Sequence, residues 1–199
     1  MATWGCLLLI VLAGCGTGKS SSPDPQGGSG AWEVLWRQAG EVDTVGVAQI
    51  AAGDSTSGYS GLTIIETTVR FPPSAAGGEA FAWEAYVRAL EPIKLLIFSY
   101  DRSLRRFQLV GESQTRIPER IGLNRFVLRE PVPLEPGYYY GLHMPAGECV
   151  PFSNVLDWKA LITTKGLQRP FMDRDAFAMY GWRYSIRVFW RPAKETESP

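Results

Sequence analysis

The sequence predicts an all-β fold, an antiparallel β-sandwich in a single domain from about residue 31 to 191, and three observations predict it. Apolar residues recur at every second position in short runs, and no segment keeps helical spacing over three turns. Turn formers separate the runs at short intervals, with 21 Gly and 14 Pro among 199 residues. Seven Trp, eight Tyr and nine Phe supply side chains that pack well on pleated surfaces, and the length suffices for a core of its own.

Trp32-Glu33-Val34-Leu35-Trp36 opens the domain as a short strand, and Asp43 to Ile50 follows with Val45 and Val47 on one side. Ala52 to Gly61 is a polar turn region. From Leu62 to Phe71 the residues Thr63, Ile65, Thr67 and Val69 alternate with Leu62, Ile64, Glu66 and Thr68, and the β-branched content argues for a strand that Pro72-Pro73 ends.

Phe81, Trp83, Ala85 and Val87 share a core face, with Glu84, Tyr86 and Arg88 on the other. The run Ile93 to Tyr100 is apolar on both faces, as expected of a strand inside a two-layer structure, and Asp101-Arg102-Ser103 turns it into Arg106 to Gly111. These three segments are expected to be consecutive antiparallel strands.

Asn124 to Glu130 places Phe126 and Leu128 inward and Arg125, Val127 and Arg129 outward. Pro131 to Gly137 is a turn, Tyr138 to Pro145 a strand, Trp158 to Thr164 a short strand and Lys165 to Asp175 a loop. In the last strand Trp182, Tyr184, Ile186, Val188 and Trp190 point one way and Arg183, Ser185, Arg187 and Arg191 the other. Truncating Ile186 should therefore be costly and truncating Arg187 cheap. The polar tail, 192–199, is expected to be disordered.

Ahead of the domain, the apolar run Leu7-Leu8-Leu9-Ile10-Val11 leads into Leu12-Ala13-Gly14-Cys15. The apolar stretch Trp4 to Ala13 is about half the ~20 residues that cross a hydrocarbon core and has the length of a signal-peptide apolar segment. Small residues before a cysteine at the end of such a run resemble the lipobox of bacterial lipoproteins. The resemblance implies that residues 1–14 are removed, that Cys15 is lipidated and becomes the first mature residue, and that the protein sits on a membrane of the cell envelope. Gly16, where an Asp marks inner-membrane retention in that family, implies the outer membrane in a cell that has one. The n-region Met1-Ala2-Thr3-Trp4 lacks the usual Lys or Arg, which leaves an ordinary cleaved signal peptide as the alternative. Residues 15–30 carry no side chain suited to a core, and a Gly/Ser coil of this length reaches about 20 Å.

Acidic and basic residues balance at 20 each, so nucleic acid is not an expected partner. Of the three cysteines, Cys6 leaves with the signal and Cys15 carries lipid, so Cys149 has no partner for an internal disulfide and is expected to be a small, partly buried side chain rather than a reactive thiol.

From Phe81 to Ser153 the order of features is similar to secreted jelly-roll modules of the broad galactose-binding-like group: Leu109-Val110-Gly111-Glu112 at a strand end, the turn Pro131 to Leu142, and the strand Pro145 to Phe152. The resemblance implies a jelly-roll-like sandwich, with ligand binding as a tendency. Tyr138 stands where that pattern carries Asp.

The inventory is poor in catalytic groups. His143 is the sole histidine, expected as a surface or half-buried residue on a strand, and neither a G-x-S-x-G elbow nor a zinc-ligand cluster occurs. No cofactor is expected; Asp173 and Asp175, or Asp54, offer oxygen ligands for a structural calcium, set against ordinary turn chemistry of Asp. For a ligand, Tyr139 or Trp158 supplies a stacking ring and Asp173 or Asp175 accepts hydroxyl hydrogen bonds. The site is expected at a loop end of the sandwich that collects the Pro136-Gly137 turn, the Pro145 to Cys149 connection and the Lys165 to Asp175 loop. The sequence thus points to a lipid-anchored binding module for a glycan or another envelope protein. The alternatives are a glycan hydrolase using two carboxylates among Glu84, Glu112, Glu130 and Glu148, or a purely structural envelope component.

Overall fold

The computed structural model describes residues 40–47 and 53–192. The apolar segment ending at Cys15, the tether, the strand expected at Trp32 to Trp36 and the polar tail beyond residue 192 lie outside the described residues. The described chain is all-β and antiparallel. Its strands are β1 (Asp43–Gly46), β2 (Leu62–Glu66), β3 (Glu79–Val87), β4 (Lys94–Asp101), β5 (Arg106–Glu112), β6 (Gly122–Pro133) and β7 (Tyr139–Met144). Then come β8 (Phe152–Asn154), β9 (Ala160–Thr163), β10 (Phe171–Asp173), β11 (Ala178–Tyr180), β12 (Trp182–Tyr184) and β13 (Ile186–Arg191).

One sheet has the order β1-β13-β3-β6 and the facing one the order β10-β5-β4-β7-β2-β9-β11, with β12-β8 as a separate pair. Eight strands (β1 to β7 and β13) are divided between the two large sheets, four in each, in the double Greek-key order of a jelly roll. The expected sandwich is therefore present. The expected run of three paired strands is not, because β4 pairs with β5 and β7 while β3 pairs with β13 and β6. The connection from Arg88 to Ile93 crosses between layers, which alternation within each strand does not encode.

The main core lies between the sheets, with Trp83, Ala85, Val87, Phe126, Leu128, Tyr184, Ile186, Val188 and Trp190 on one side and Leu62, Ile64, Leu95, Ile97, Tyr140 and Leu142 on the other. Phe126 and Leu128 face inward as expected. Phe81 does not: a bulge between Ala80 and Ala82 against β6 inserts one residue and turns Phe81 to the outer face, where it clusters with Ala82, Phe189 and Val42. The last strand keeps its expected facing but divides at Ser185, with β12 on β8 and β13 between β1 and β3.

A second core occupies the outer face of the larger sheet. Ile65, Leu96, Phe98, Phe107, Tyr139 and Leu161 gather there under Met172 and Phe177. This explains why β2 and β4 are apolar on both faces. The segment expected as a loop, Lys165 to Asp175, contains β10, which pairs with β5 at one sheet edge, while β11 pairs with β9 at the other. Only residues 174–177 join them, and they span at most about 18 Å. Seven strands laid flat would put the two edges about 29 Å apart, so the sheet is curled into an almost closed barrel with that segment as a strap. Gly141 on β7 allows the curl's tight pairing, since a Cβ there would run into the Ile64 carbonyl of β2.

Candidate functional site

The sequence-derived residues lie toward one end of the curled sheet. Tyr139 is 8% exposed, within the second core and edge-on to Phe107 and Tyr100, with the Arg70 guanidinium 5.0 Å from its ring centre. Trp158, half-buried just before β9, donates its indole N–H to Glu66 Oε2, and Arg183 lies 5.7 Å from its ring. Asp173 and Asp175 are exposed on the strap and paired with arginines, Arg106 at 3.7 Å and Arg105 at 2.7 Å. Among the described residues no three His, Cys, Asp or Glu side chains gather around a metal position. The loops expected at one end are divided: the Pro136-Gly137 turn precedes β7 and the Pro145 connection follows it, so the strand itself separates them.

Behind Trp158 lies a buried polar chain. Glu66, on the core side of β2, accepts the Trp158 indole N–H and the Tyr184 backbone N–H at 3.0 Å. Burial outweighs those two donors and raises its carboxyl pKa to about 8. Tyr140 Oη, buried and without a hydrogen-bond partner among the described residues, is pushed well above the usual phenol range by burial and by the Glu66 charge. Tyr184 Oη donates at 2.8 Å to Glu148, whose other oxygen accepts the Ser57 backbone N–H. The Glu148 N–H donates to Tyr59 O at 3.1 Å, and Arg88 donates to the Gly53 and Asp54 carbonyls at 2.6 and 3.3 Å. The polar turn 53–61 is therefore pinned from below, and Tyr59 stands on a fixed base.

Two adjacent depressions open at the other end of the curled sheet. The first, about 490 Å³, is the mouth of the barrel. Its wall includes Lys94 at the start of β4, His143 near the end of β7, Thr115, Gly61, Leu167 and Arg169. Alternation puts Lys94 and His143 on the barrel-interior face with Leu96, Phe98 and Tyr139, so the second core is the floor beneath them. Glu112, at the end of β5, pairs with Lys94 at 3.3 Å and Arg169 at 2.7 Å. His143 Nδ1 lies 3.0 Å from Leu62 O and 3.1 Å from Thr63 Oγ1. A carbonyl only accepts, so Nδ1 carries the proton and Nε2 the lone pair. Burial first, then Lys94 and Arg169, lowers the His143 pKa and keeps this neutral form.

The second depression, about 310 Å³, is lined by Tyr59, Tyr180, Trp182, Thr163, Thr164 and Lys165 among others. Trp182 is sandwiched between Phe152, at 4.0 Å and 12°, and Tyr180, at 4.3 Å and 21°. Tyr180, 37% exposed, thus ends a three-ring stack and lines the groove, and Tyr59, also lining it, is 52% exposed. The segments 59–61 and 163–167 each contribute to both depressions, so these are neighbours across one turn.

Reading the sequence alone passed over Tyr59, Tyr180, Lys94 and Arg169. Two signals were present: Lys94 is the single charge in the apolar run Ile93 to Tyr100, and Tyr180-Gly181-Trp182 places two rings around a flexible residue just before the last strands. Comparison with protein-family models, with curated proteins and with solved structures gave no match. Fold and site define the chain as a jelly-roll sandwich bearing a polar barrel mouth beside an aromatic groove.

Proposed function

We propose that this protein is a recognition module for glycans, held on the cell envelope through lipid on Cys15, and that a sugar ring stacks on Tyr180 with Tyr59 alongside. The observation that carries the reading is that Tyr180, backed by Trp182 and Phe152 and 37% exposed, lines a groove. A ring already braced by two others loses little freedom on binding, and stacked aromatic faces suit the apolar face of a pyranose. Thr164 and Lys165 line the same groove and bring a hydroxyl and an ammonium that suit sugar hydroxyls. The module belongs, on this reading, with the galactose-binding-like jelly rolls that its turn sequences resemble.

Binding without hydrolysis is supported by how the acidic residues are used. Glycoside hydrolysis needs two carboxyl groups about 5–10 Å apart across an open cleft. Glu84 is held by Arg125 and Arg187, Glu148 by Tyr184 and Ser57, and Glu66 by Trp158 and Tyr184, while Glu112 holds Lys94 and Arg169.

A glycan array probed with the protein, followed by titration of the strongest binder, tests the reading. Tyr180→Ala should weaken that binding at least about fivefold, a stacking contribution of roughly 1 kcal/mol, with Tyr59→Ala weaker in effect. Undiminished glycan binding by a folded Tyr59/Tyr180 double variant would refute the groove as the site.

A further inference from the structure

We propose that the barrel mouth is a carboxylate site, and that the ligand this protein recognises is an acidic sugar whose carboxylate sits between Lys94 and Arg169 while a neighbouring hydroxyl donates to His143 Nε2. The proposal rests on the glycan reading and narrows its ligand class.

Charge is the first support. Lys94 and Arg169 share one carboxylate, Glu112, so the mouth keeps a net positive charge with His143 neutral. Donor capacity is the second. An ammonium has three N–H donors and a guanidinium five, and Glu112 takes up only part of either set. The Lys94 side chain is just 15% exposed, so water reaches its remaining donors poorly, and an incoming carboxylate would satisfy them in a partly desolvated place where such bonds are strong. Arg169, 52% exposed at the rim, meets the ligand from the solvent side with the fork that matches a carboxylate.

The third support is His143. Its Nδ1–H is committed to Leu62 O within the sheet, which fixes the ring and leaves Nε2 as an acceptor among donors. Lys94, Arg169 and the Thr115 hydroxyl can all donate to a ligand, and the Nε2 lone pair beside them can accept from a ligand hydroxyl. Carboxylate recognition beside hydroxyl recognition describes a sugar acid better than a simple anion, and the Tyr180 face across the turn 163–167 would take the next ring of a chain.

Isothermal titration of the full-length protein with sodium glucuronate, sodium galacturonate, glucose and sodium acetate tests this. At least one uronate should bind about tenfold or more tighter than glucose and acetate. Arg169→Met and Lys94→Met should each weaken it about tenfold, with Arg169, at the rim, the variant least exposed to folding loss. His143→Asn, which can keep a side-chain N–H on Leu62 O but has no Nε2, should bring uronate affinity down toward that of acetate. Equal affinity for glucose and the uronates, or uronate binding unchanged in a folded Lys94/Arg169 double variant, would overturn the carboxylate site. Neutral glycans that bind and are lost with Tyr180→Ala, with no acid preference, would overturn it while leaving the stacking groove standing. Binding of a uronate-containing disaccharide that needs Lys94 and Arg169 but survives Tyr59/Tyr180 replacement would uphold the mouth and remove the groove.

Discussion

Glu66 is a carboxyl group placed where an apolar residue would be expected, on the inward face of β2 beside Ile64. With its pKa near 8 when folded and about 4.5 in an unfolded chain, the native state binds the extra proton across that interval. Stability should therefore fall as pH rises from about 4.5 to 8, by at most about 1.4 kcal/mol per pH unit, and level off above. Denaturant titrations of wild type and Glu66→Gln over that range check it: the Gln variant should lose most of the slope. Arg187 is a second case where the residue scale corrects the pattern. Its outward facing suggested a cheap truncation, yet Arg187 and Arg125 hold Glu84, a carboxylate with no exposed surface on β3. Arg187→Ala should cost about 1–3 kcal/mol by leaving that buried charge less well compensated, comparable to the lower range for Ile186→Ala. Equal stability of wild type and Arg187→Ala in urea would contradict this.

At the scale of elements, the strap between β10 and β11 is the part least legible in the sequence. Alternation identified the facing of β6 and β13, whose inward residues Phe126, Leu128, Ile186, Val188 and Trp190 all reach the main core. It read β4 as doubly apolar without revealing that the second layer is its own sheet curled back, since what covers Leu96 and Phe98 is Met172 and Phe177, some seventy residues or more later. Short segments such as Phe171–Asp173 are strands only because an edge is there to pair with, which no local propensity contains. The candidate site suffered the same way. Tyr139 looked available for stacking and is roofed by the strap, while Lys94, His143 and Arg169 meet only once the sheet has curled. Phe177→Ala should cost about 3–5 kcal/mol and preferentially raise amide hydrogen exchange in 171–180, whereas a cost confined to global unfolding would mean the strap is not a separable layer.

For the whole molecule, the proposed anchor and the domain are separable claims. Cys15→Ala should leave an unprocessed precursor without acyl mass, resolved by mass measurement after membrane fractionation, and leave glycan affinity of the folded domain unchanged. Mature protein without acyl mass on a wild-type Cys15 would refute the lipoprotein reading. Cys149 adds no complication to such labelling, because it is buried and its thiol is pushed up to about 12, chiefly by desolvation.

The curl of the larger sheet has one more consequence. Proteins held on a membrane meet one another in two dimensions, at local concentrations far above those in solution, and an uncovered strand edge is then an invitation to pair with a neighbour. Here the outermost strands of the seven-stranded sheet are three residues each and are drawn together by a four-residue link, so little backbone is left for a neighbour's strand to dock on. The β1 edge of the smaller sheet is four residues long, ending at Gly46. The smaller sheet's other edge, β6, runs twelve residues, so the curl protects the larger sheet and leaves β6 as the edge long enough for a neighbour's strand to pair with between crowded copies.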